Sequence, residues 1–327
     1  MRGWSEFISL VRGKAVSVNA ATVITDELSP GNGWHHLRVR ISEIVVIGTG
    51  SGPITEGELL FIKRILLTTD KGEIICNLPG RALYKIAHFK SGAAPRKDAI
   101  AAASATYRVT LPIYFSEPPA QGMMRRTDTI LDTKRYSSVK LEVTLGTVAD
   151  LFTTVGTSSV TATVDVEVYQ TKGILPKESQ PVGYIEYDQM QPVDAFTQTF
   201  AFLKRAQDYF LKRLYVFAGT SGSAGVPWSG TASDVIQDFS FIEDQTGFIT
   251  KERIHQMIQE DNKDDASFES VISGLEIHDL VKGRSQREAL WTVGKTLLQY
   301  RWQNQAGVAA NSIVSVASEA MRPIPPY

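Results

Sequence analysis

The feature that most constrains this chain is an alternation of apolar and polar residues with a period of two. In "VKLEVTL" the apolar side chains are Val139, Leu141, Val143 and Leu145, and Lys140, Glu142 and Thr144 lie between them. "VTATVDVEVYQ" repeats the pattern at Val160, Ala162, Val164, Val166 and Val168. "LRVRI" sets Leu37, Val39 and Ile41 against Arg38 and Arg40, and "YRVTLPIYF" does the same from Tyr107 to Phe115. This period puts every apolar group of a segment on one side of an extended strand, and no helix can do that. Pro112 falls on the polar side of its segment, which predicts an edge strand or a bulge. Gly, Ser and Pro clusters punctuate the strands: "GTGSGP", "SEPPAQG" and "GTSGSAGVPWSG". Many short strands with such turns predict an all-β protein built from sandwiches or barrels.

Helices are expected in three places. Residues 80 to 92, "GRALYKIAHFKSG", place Leu83, Ile86 and Ala87 on one face and stop at Gly92. In "ITKERIHQMIQEDNK" Thr250 is a candidate N-cap, with Ile249 stapled to Ile254. A short helix is expected over residues 5 to 12, with Ser5 as cap and Phe7, Ile8 and Val11 apolar.

A weak internal repeat organises the chain. "FIKRILLTT" at Phe61 returns as "FLKRLYVFA" at Phe210, and each copy is followed by a further strand and one of the longer helices. The 327 residues suit two domains, and two blocks of this size suit eight-stranded jelly rolls. The expected divisions are an N-terminal segment with a short helix (1–20), a first jelly roll (21–177), a second (178–310), and a C-terminal strand or arm (311–327).

Charge and cysteine content narrow the function. Thirty-four basic residues meet 35 acidic ones, so the whole molecule has no positive field for nucleic acid. With no long Lys/Arg run, any basic patch has to be assembled locally. The single cysteine, Cys76, allows no intrachain disulfide and no multi-cysteine metal site, and its apolar surroundings make it a core residue. No stretch offers the eighteen or so apolar residues that cross a bilayer, and the N-terminus lacks a signal-peptide pattern. Synthesis in a cytoplasm without processing is the expectation.

Several motifs imitate chemistry and fail on detail. "EIVVIGTGSGPITEGE" has Gly48, Gly50 and Gly52, but Pro53 stands where the dinucleotide fingerprint needs its third glycine. The ten residues between Ile47 and Glu58 are too few for a βαβ crossover. "ALWTVGKT" ends like a P-loop at Gly294, Lys295 and Thr296, yet Ala289 replaces the first glycine and the loop between is bulky. "EDQTGFITKER" centred on Gly247 puts Ile242 and Arg253 where calcium needs carboxylates, so it reads as a turn into a helix. His35 and His36 are adjacent and face opposite ways on a strand, while His88, His255 and His278 are scattered. Asp264 and Asp265 read as solvated loop charges. No catalytic residue, cofactor or metal is expected.

The N-terminal segment is the one candidate site. Arg2, Trp4, Phe7, Ile8, Val11, Arg12 and Lys14 suit either an amphipathic helix lying on an anionic membrane or a short helix docked on its own fold or on a neighbouring subunit.

These phrases together resemble a family. "FIKRILLTTDKGEIICNLPGRALYKIAHFKSGAAP" with "YRVTLPIYF", "LDTKRYSSVKLEVTLGTVADLF" with "TATVDVEV", and "YFLKRLYVFAGTSGSAGVPWSGTASDVI" with the segment from Ile249 are similar to the major capsid proteins of tailless, membrane-containing icosahedral bacteriophages. Within this double jelly-roll lineage the resemblance is nearest to the FLiP-like coat proteins of Flavobacterium phage, and it spans most of residues 35 to 305. It implies two eight-stranded jelly rolls side by side, each with a short helix inserted. It implies a homotrimer of pseudo-hexagonal outline, joined in a capsid lattice with penton and minor capsid proteins. It also implies an N-terminal segment near an internal lipid membrane, in a virion assembled in the host bacterial cytoplasm. Specific nucleic-acid binding and enzymatic activity are not implied. The alternative is a jelly-roll receptor- or carbohydrate-binding protein, with Trp228, Trp291, Tyr300 and Trp302 stacking on sugars. Aromatics at strand-like spacing are more often core.

Overall fold

The computed structural model describes residues 4–18, 22–101, 105–116, 129–172, 183–189, 193–197, 199–201, 209–220, 235–243, 247–254, 272, 274–281, 290–292, 298–308, 310 and 312–323. The chain forms two compact units, one of Met1–Tyr187 with Ile324–Tyr327, the other of Asp188–Pro323.

The first unit contains β1 (Trp4–Val18), β2 (Thr22–Leu28), β3 (Gly33–Ile47), β4 (Ser51–Pro53), α1 (Gly57–Leu60), β5 (Ile62–Thr69), β6 (Ile74–Leu78), α2 (Gly80–Ser91), β7 (Thr106–Tyr114), β8 (Leu131–Asp132), β9 (Val139–Leu145), β10 (Phe152–Thr154), β11 (Ser159–Lys172) and β12 (Gly183–Gln189). One sheet runs β1-β11-β3-β7, with β8 on β3. The other runs β12-β6-β5-β9-β2, and β4 pairs with β10. The alternation becomes burial as expected. Val139, Leu141, Val143 and Leu145 are buried on β9, and Lys140 and Glu142 pair with each other on its outer side. Each such Val or Leu contributes about 1.5–3 kcal/mol when fully buried.

Strand β7 is the edge that Pro112 predicted. The Thr110 N–H donates to Arg96 O and the Asp98 N–H to Arg108 O, both 2.9 Å, so a short segment caps the outer edge. Residues 110 and 112 point their backbone nitrogens the same way, away from β3. The donor that proline lacks therefore removes no bond from the sheet. Helix α2 stops as expected: Gly92 takes φ 74 and its N–H donates to His88 O. At its start a Cβ on Gly80 would lie 2.6 Å from Ile62 Cβ, so the glycine lets the helix touch β5.

The expected N-terminal helix is instead strand β1, antiparallel to β11 from Trp4↔Lys172 to Val18↔Val160. Two register shifts, between Ser9 and Val11 and between Val11 and Lys14, re-phase the strand, and Gly13 sits there at φ 59. Bulges of this kind hide the period of two, so the apolar residues fall at helix-like spacing. A free edge on β11 leaves backbone groups that β1 satisfies.

The second unit contains β13 (Val193–Asp194), β14 (Thr199–Ala201), β15 (Phe210–Thr220), β16 (Ile236–Glu243), β17 (Gly247–Ile254), β18 (Leu275–Asp279), β19 (Leu290–Trp291), β20 (Leu298–Asn304) and β21 (Ser312–Pro323). One sheet places β15 between β18 and β21, with β19 on β15 and β13 on β21; the other runs β14-β20-β16-β17. The core joins them: Leu211, Leu214 and Val216 from β15 and Val314 and Val316 from β21 pack with Phe239, Phe241, Tyr300 and Trp302.

One expectation fails here. The helix expected from Thr250 is, up to Ile254, strand β17 of a hairpin in which Thr250 faces Phe241. Register shifts between Phe239 and Phe241 and between Phe241 and Ile242 again disguise the alternation. The rest of that helix, residues 255–264, lies outside the described residues. Of residues 311–327, expected as a C-terminal strand or arm, Ser312–Pro323 form β21, with Met321 opposite Phe210. Proline ends the strand, where its missing donor is tolerated. The repeat holds for its leading strands, β5 and β15, but β6 is followed by a helix and β16 by a strand.

Candidate interaction surface

The outer face of the β1-β11-β3-β7 sheet gathers the side chains that alternation turns away from the core. Across the register Arg38 meets Glu167 and Pro112, and Arg40 meets Asp165 and Thr110. One end of this face is aromatic. Phe7 is 52% exposed and packs on Tyr169 with ring centroids 4.7 Å apart. His36 stacks on Tyr169 at 5.5 Å, meets Phe7 edgewise and lies tilted against Tyr114. The Arg38 guanidinium lies 5.1 Å over the Phe7 ring. Further along β3 and β7 is a groove of about 650 Å³ with Arg38, Arg40, Arg96 and Arg108 in its walls.

The structure spreads the N-terminal candidates along β1 instead of one helix face. Phe7 joins the aromatic cluster, Ile8 and Val11 are half-buried, and Arg12 is exposed. Lys14 donates to Asp26 at 2.6 Å and to Thr25 O at 2.8 Å. Trp4 opens the strand opposite Lys172, and Arg2 lies outside the described residues.

A second cluster is internal. Glu56 takes φ 57, a left-handed conformation that costs a non-glycine residue about 1–3 kcal/mol. The buried Arg81 donates to its Oε2 at 2.5 Å. Burial raises the Glu56 pKa, but Lys85, Arg81 and Lys97 outweigh it and hold the carboxyl below its ordinary value. Lys97 donates to Glu58 Oε1 at 2.6 Å; Glu58 is fully buried and its Oε2 has no hydrogen-bond partner among the described residues. Burial lowers Lys85 to about 8, against the opposing pull of Glu56. Tyr84 is raised, by burial and then by Glu56 and Glu58. Glu58, Arg81 and Lys85 are closed to solvent, so the cluster clamps α1 to α2 and to the segment that caps β7.

The remaining sequence candidates resolve individually. In the glycine loop a Cβ on Gly48 would lie 2.5 Å from Ser158 Cα, and the Gly50 N–H donates to Ser158 Oγ at 2.7 Å. The glycines serve a close approach to the turn before β11, and the four-residue α1 follows in place of a crossover helix. Leu290 and Trp291 of the P-loop imitation form β19, and residues 293–297 lie outside the described residues. The calcium imitation is the β16–β17 hairpin, a turn into a strand and not into a helix. His35 and His36 are both buried, and His35 Nε2 is 2.6 Å from Thr171 Oγ1. Burial lowers the pKa of His88. His255, Asp264, Asp265 and Trp228 lie outside the described residues. Cys76, Tyr300 and Trp302 are core, and the Trp302 indole N–H donates to Ala195 O. Trp291 is 40% exposed against Phe210. Among the described residues no three His, Cys, Asp or Glu side chains gather as a metal site. Sequence reasoning missed Glu58, Lys85 and the arginine groove. The only available signal was the polar half of "LRVRI".

These elements define an all-β protein of two jelly-roll units in tandem. The chain is similar over its whole length to viral major capsid proteins. The match to the STIV protein, of Sulfolobus Turreted Icosahedral Virus, has a TM-score of 0.70 at 12% identity and covers 99% of this chain and 97% of that one. The major capsid protein P2 of Bacteriophage PM2 matches at TM-score 0.59 and 10% identity, over 98% of each chain. The Faustovirus major capsid protein matches at TM-score 0.62 and 7% identity, over 98% and 90%. The chain therefore has the double jelly-roll fold of that lineage. No family model and no curated protein matches the sequence.

Proposed function

We propose that this chain is a structural coat protein that self-associates into a viral capsid. The observation that carries the reading is the end-to-end correspondence with the STIV protein, which leaves neither chain a domain the other lacks. In this reading the chain forms pseudo-hexameric homotrimers, three chains supplying six barrels. The trimers tile an icosahedral shell around an internal membrane and genome, in a virion assembled in a bacterial cytoplasm. The flat flanks of the sheets make the contacts, each stable interface burying more than about 1,000 Å². Penton and minor capsid proteins complete the shell. The N-terminal strand faces the membrane, as in the FLiP-like coat proteins that the sequence resembles. The protein works without catalysis.

Purified full-length chain examined by size-exclusion chromatography and electron microscopy is expected to show pseudo-hexagonal trimers. A monomer that persists at high concentration and never forms such particles overturns the reading. The exposed Trp291 beside Phe210 keeps a carbohydrate-binding alternative open to test, but Tyr300 and Trp302 are buried and, of the aromatics named for it, leave that pair among the described residues. Glycan-array binding by particles that never tile would favour it.

A further inference from the structure

We propose that the arginine groove of the first unit is a binding site for a phosphate-bearing anion. Four arginines, Arg38, Arg40, Arg96 and Arg108, line one groove of about 650 Å³, a size that suits a small ligand. Among the described residues only one of them, Arg40, is held by a carboxylate at hydrogen-bond distance. Arg40 grips Glu167 with both ends of its fork, Nη1 to Oε1 at 3.1 Å and Nη2 to Oε2 at 3.0 Å. That grip uses both oxygens of Glu167, and Arg38 stands off at 3.7 Å from Oε2. Arg96 is 3.9 Å from Asp98. Arg108 is exposed and has no carboxylate within 4.0 Å among the described residues. The lining carboxylate Asp165 already accepts the Gly13 N–H at 2.6 Å.

Three of the arginines that line the groove thus have no carboxylate at hydrogen-bond distance among the described residues. The fold enforces the arrangement. Arg38 and Arg40 share a face two residues apart on β3. Arg108 lies on that face of β7, and the backbone bonds between Arg96 and Thr110 bring Arg96 alongside. A carboxylate brings two oxygens and one negative charge, and Arg40 alone engages both oxygens of Glu167. A phosphate group offers three oxygens and up to two negative charges, and can accept forks from several arginines at once. The net charge of −1 hides this patch because the sheet register, not a run of sequence, assembles it. The ligand is a phosphate ester, free in solution or borne on a lipid headgroup.

The test uses the full-length chain in low-salt buffer, independent of whether it forms capsids. Calorimetric titration with inorganic pyrophosphate is expected to show saturable binding that weakens at least tenfold in the double variant Arg96→Ala/Arg108→Ala. Arg108→Lys, which keeps the charge but loses the fork, should fall between. Circular dichroism confirms that the variants fold, and Arg64→Ala on β5 controls for bulk charge. Flotation with phosphatidylcholine vesicles, with and without phosphatidic acid, separates the sources. Capture that needs phosphatidic acid and is lost in the double variant assigns a lipid headgroup. Pyrophosphate binding without capture assigns a soluble phosphate. Absence of both, or binding unchanged in the double variant, overturns the proposal.

Discussion

Replacing Lys85 by methionine should change the pH dependence of stability in a calculable way. Lys85 is buried on α2 and its pKa falls from 10.5 to about 8, chiefly through burial, with Glu56 opposing. At 1.36 kcal/mol per pH unit, the folded chain holds the charged amine at a cost of about 3 kcal/mol. Below pH 8 both folded and unfolded chains carry the proton, and the cost is constant. Between pH 8 and 10.5 the unfolded chain binds the proton and the folded chain does not, so wild-type stability rises with pH through this group. Methionine fills a similar volume without the charge and has no such dependence. The variant is therefore expected to gain on the wild type most near pH 7. That difference should shrink by about 1.4 kcal/mol per pH unit over the middle of the window. Urea unfolding of both proteins at pH 7.5, 8.5, 9.5 and 10.5 measures it, and taking the difference cancels the other titrating groups. A difference that stays flat from pH 8 to 10, or that widens as pH rises, would refute the reasoning and place the proton elsewhere in the cluster.

Three further outcomes are expected. Gly48→Ala forces a Cβ to within 2.5 Å of Ser158 Cα at a φ of 132; it should cost more than about 2 kcal/mol, read as a fall in Tm, whereas alanine at the open Gly72 should cost about 1. Glu319→Leu takes the shared carboxylate from the buried Lys212 and from Arg213; it should destabilise by about 3–5 kcal/mol in chemical denaturation, and adding Lys212→Met should recover part of that. Trp302→Phe loses the indole bond to Ala195 O and core volume, so the second unit should weaken by about 2 kcal/mol in hydrogen exchange or calorimetry while the first is unchanged.

The sequence made legible what depends on a clean period of two. Val139 to Leu145 and Val160 to Val168 read directly as strands, and Pro112 marked its own edge. It misled where bulges broke the phase. Around Gly13 in β1 and Phe241 opposite β17, one extra residue turns alternation into helix-like spacing, and only the partner strand reveals the error. The surfaces were harder still. Arg38 and Arg40 are visible as a pair, but Arg108 and Arg96 join them only through register, which is a property of strands far apart in sequence. The Glu56–Arg81–Lys85 cluster joins an odd left-handed residue to the start of α2, and no local pattern announces such a contact.

Strand β1 pairs Trp4 with Lys172 and Val18 with Val160. Residues 4 to 18 thus wait for residues 160 to 172 to be made. At translation rates of 5–20 residues per second, the gap lasts about ten to thirty seconds. During that time β5 and β6 can already pair locally, while β1 has no partner. Strands that close a sheet across so long a loop form late and slowly. Where many copies are made at once, each unfinished chain offers its unpaired strand to its neighbours. The topology that seals the finished flank therefore makes synthesis the period of greatest risk of strand exchange between chains. A yield that falls steeply with expression rate would be its signature.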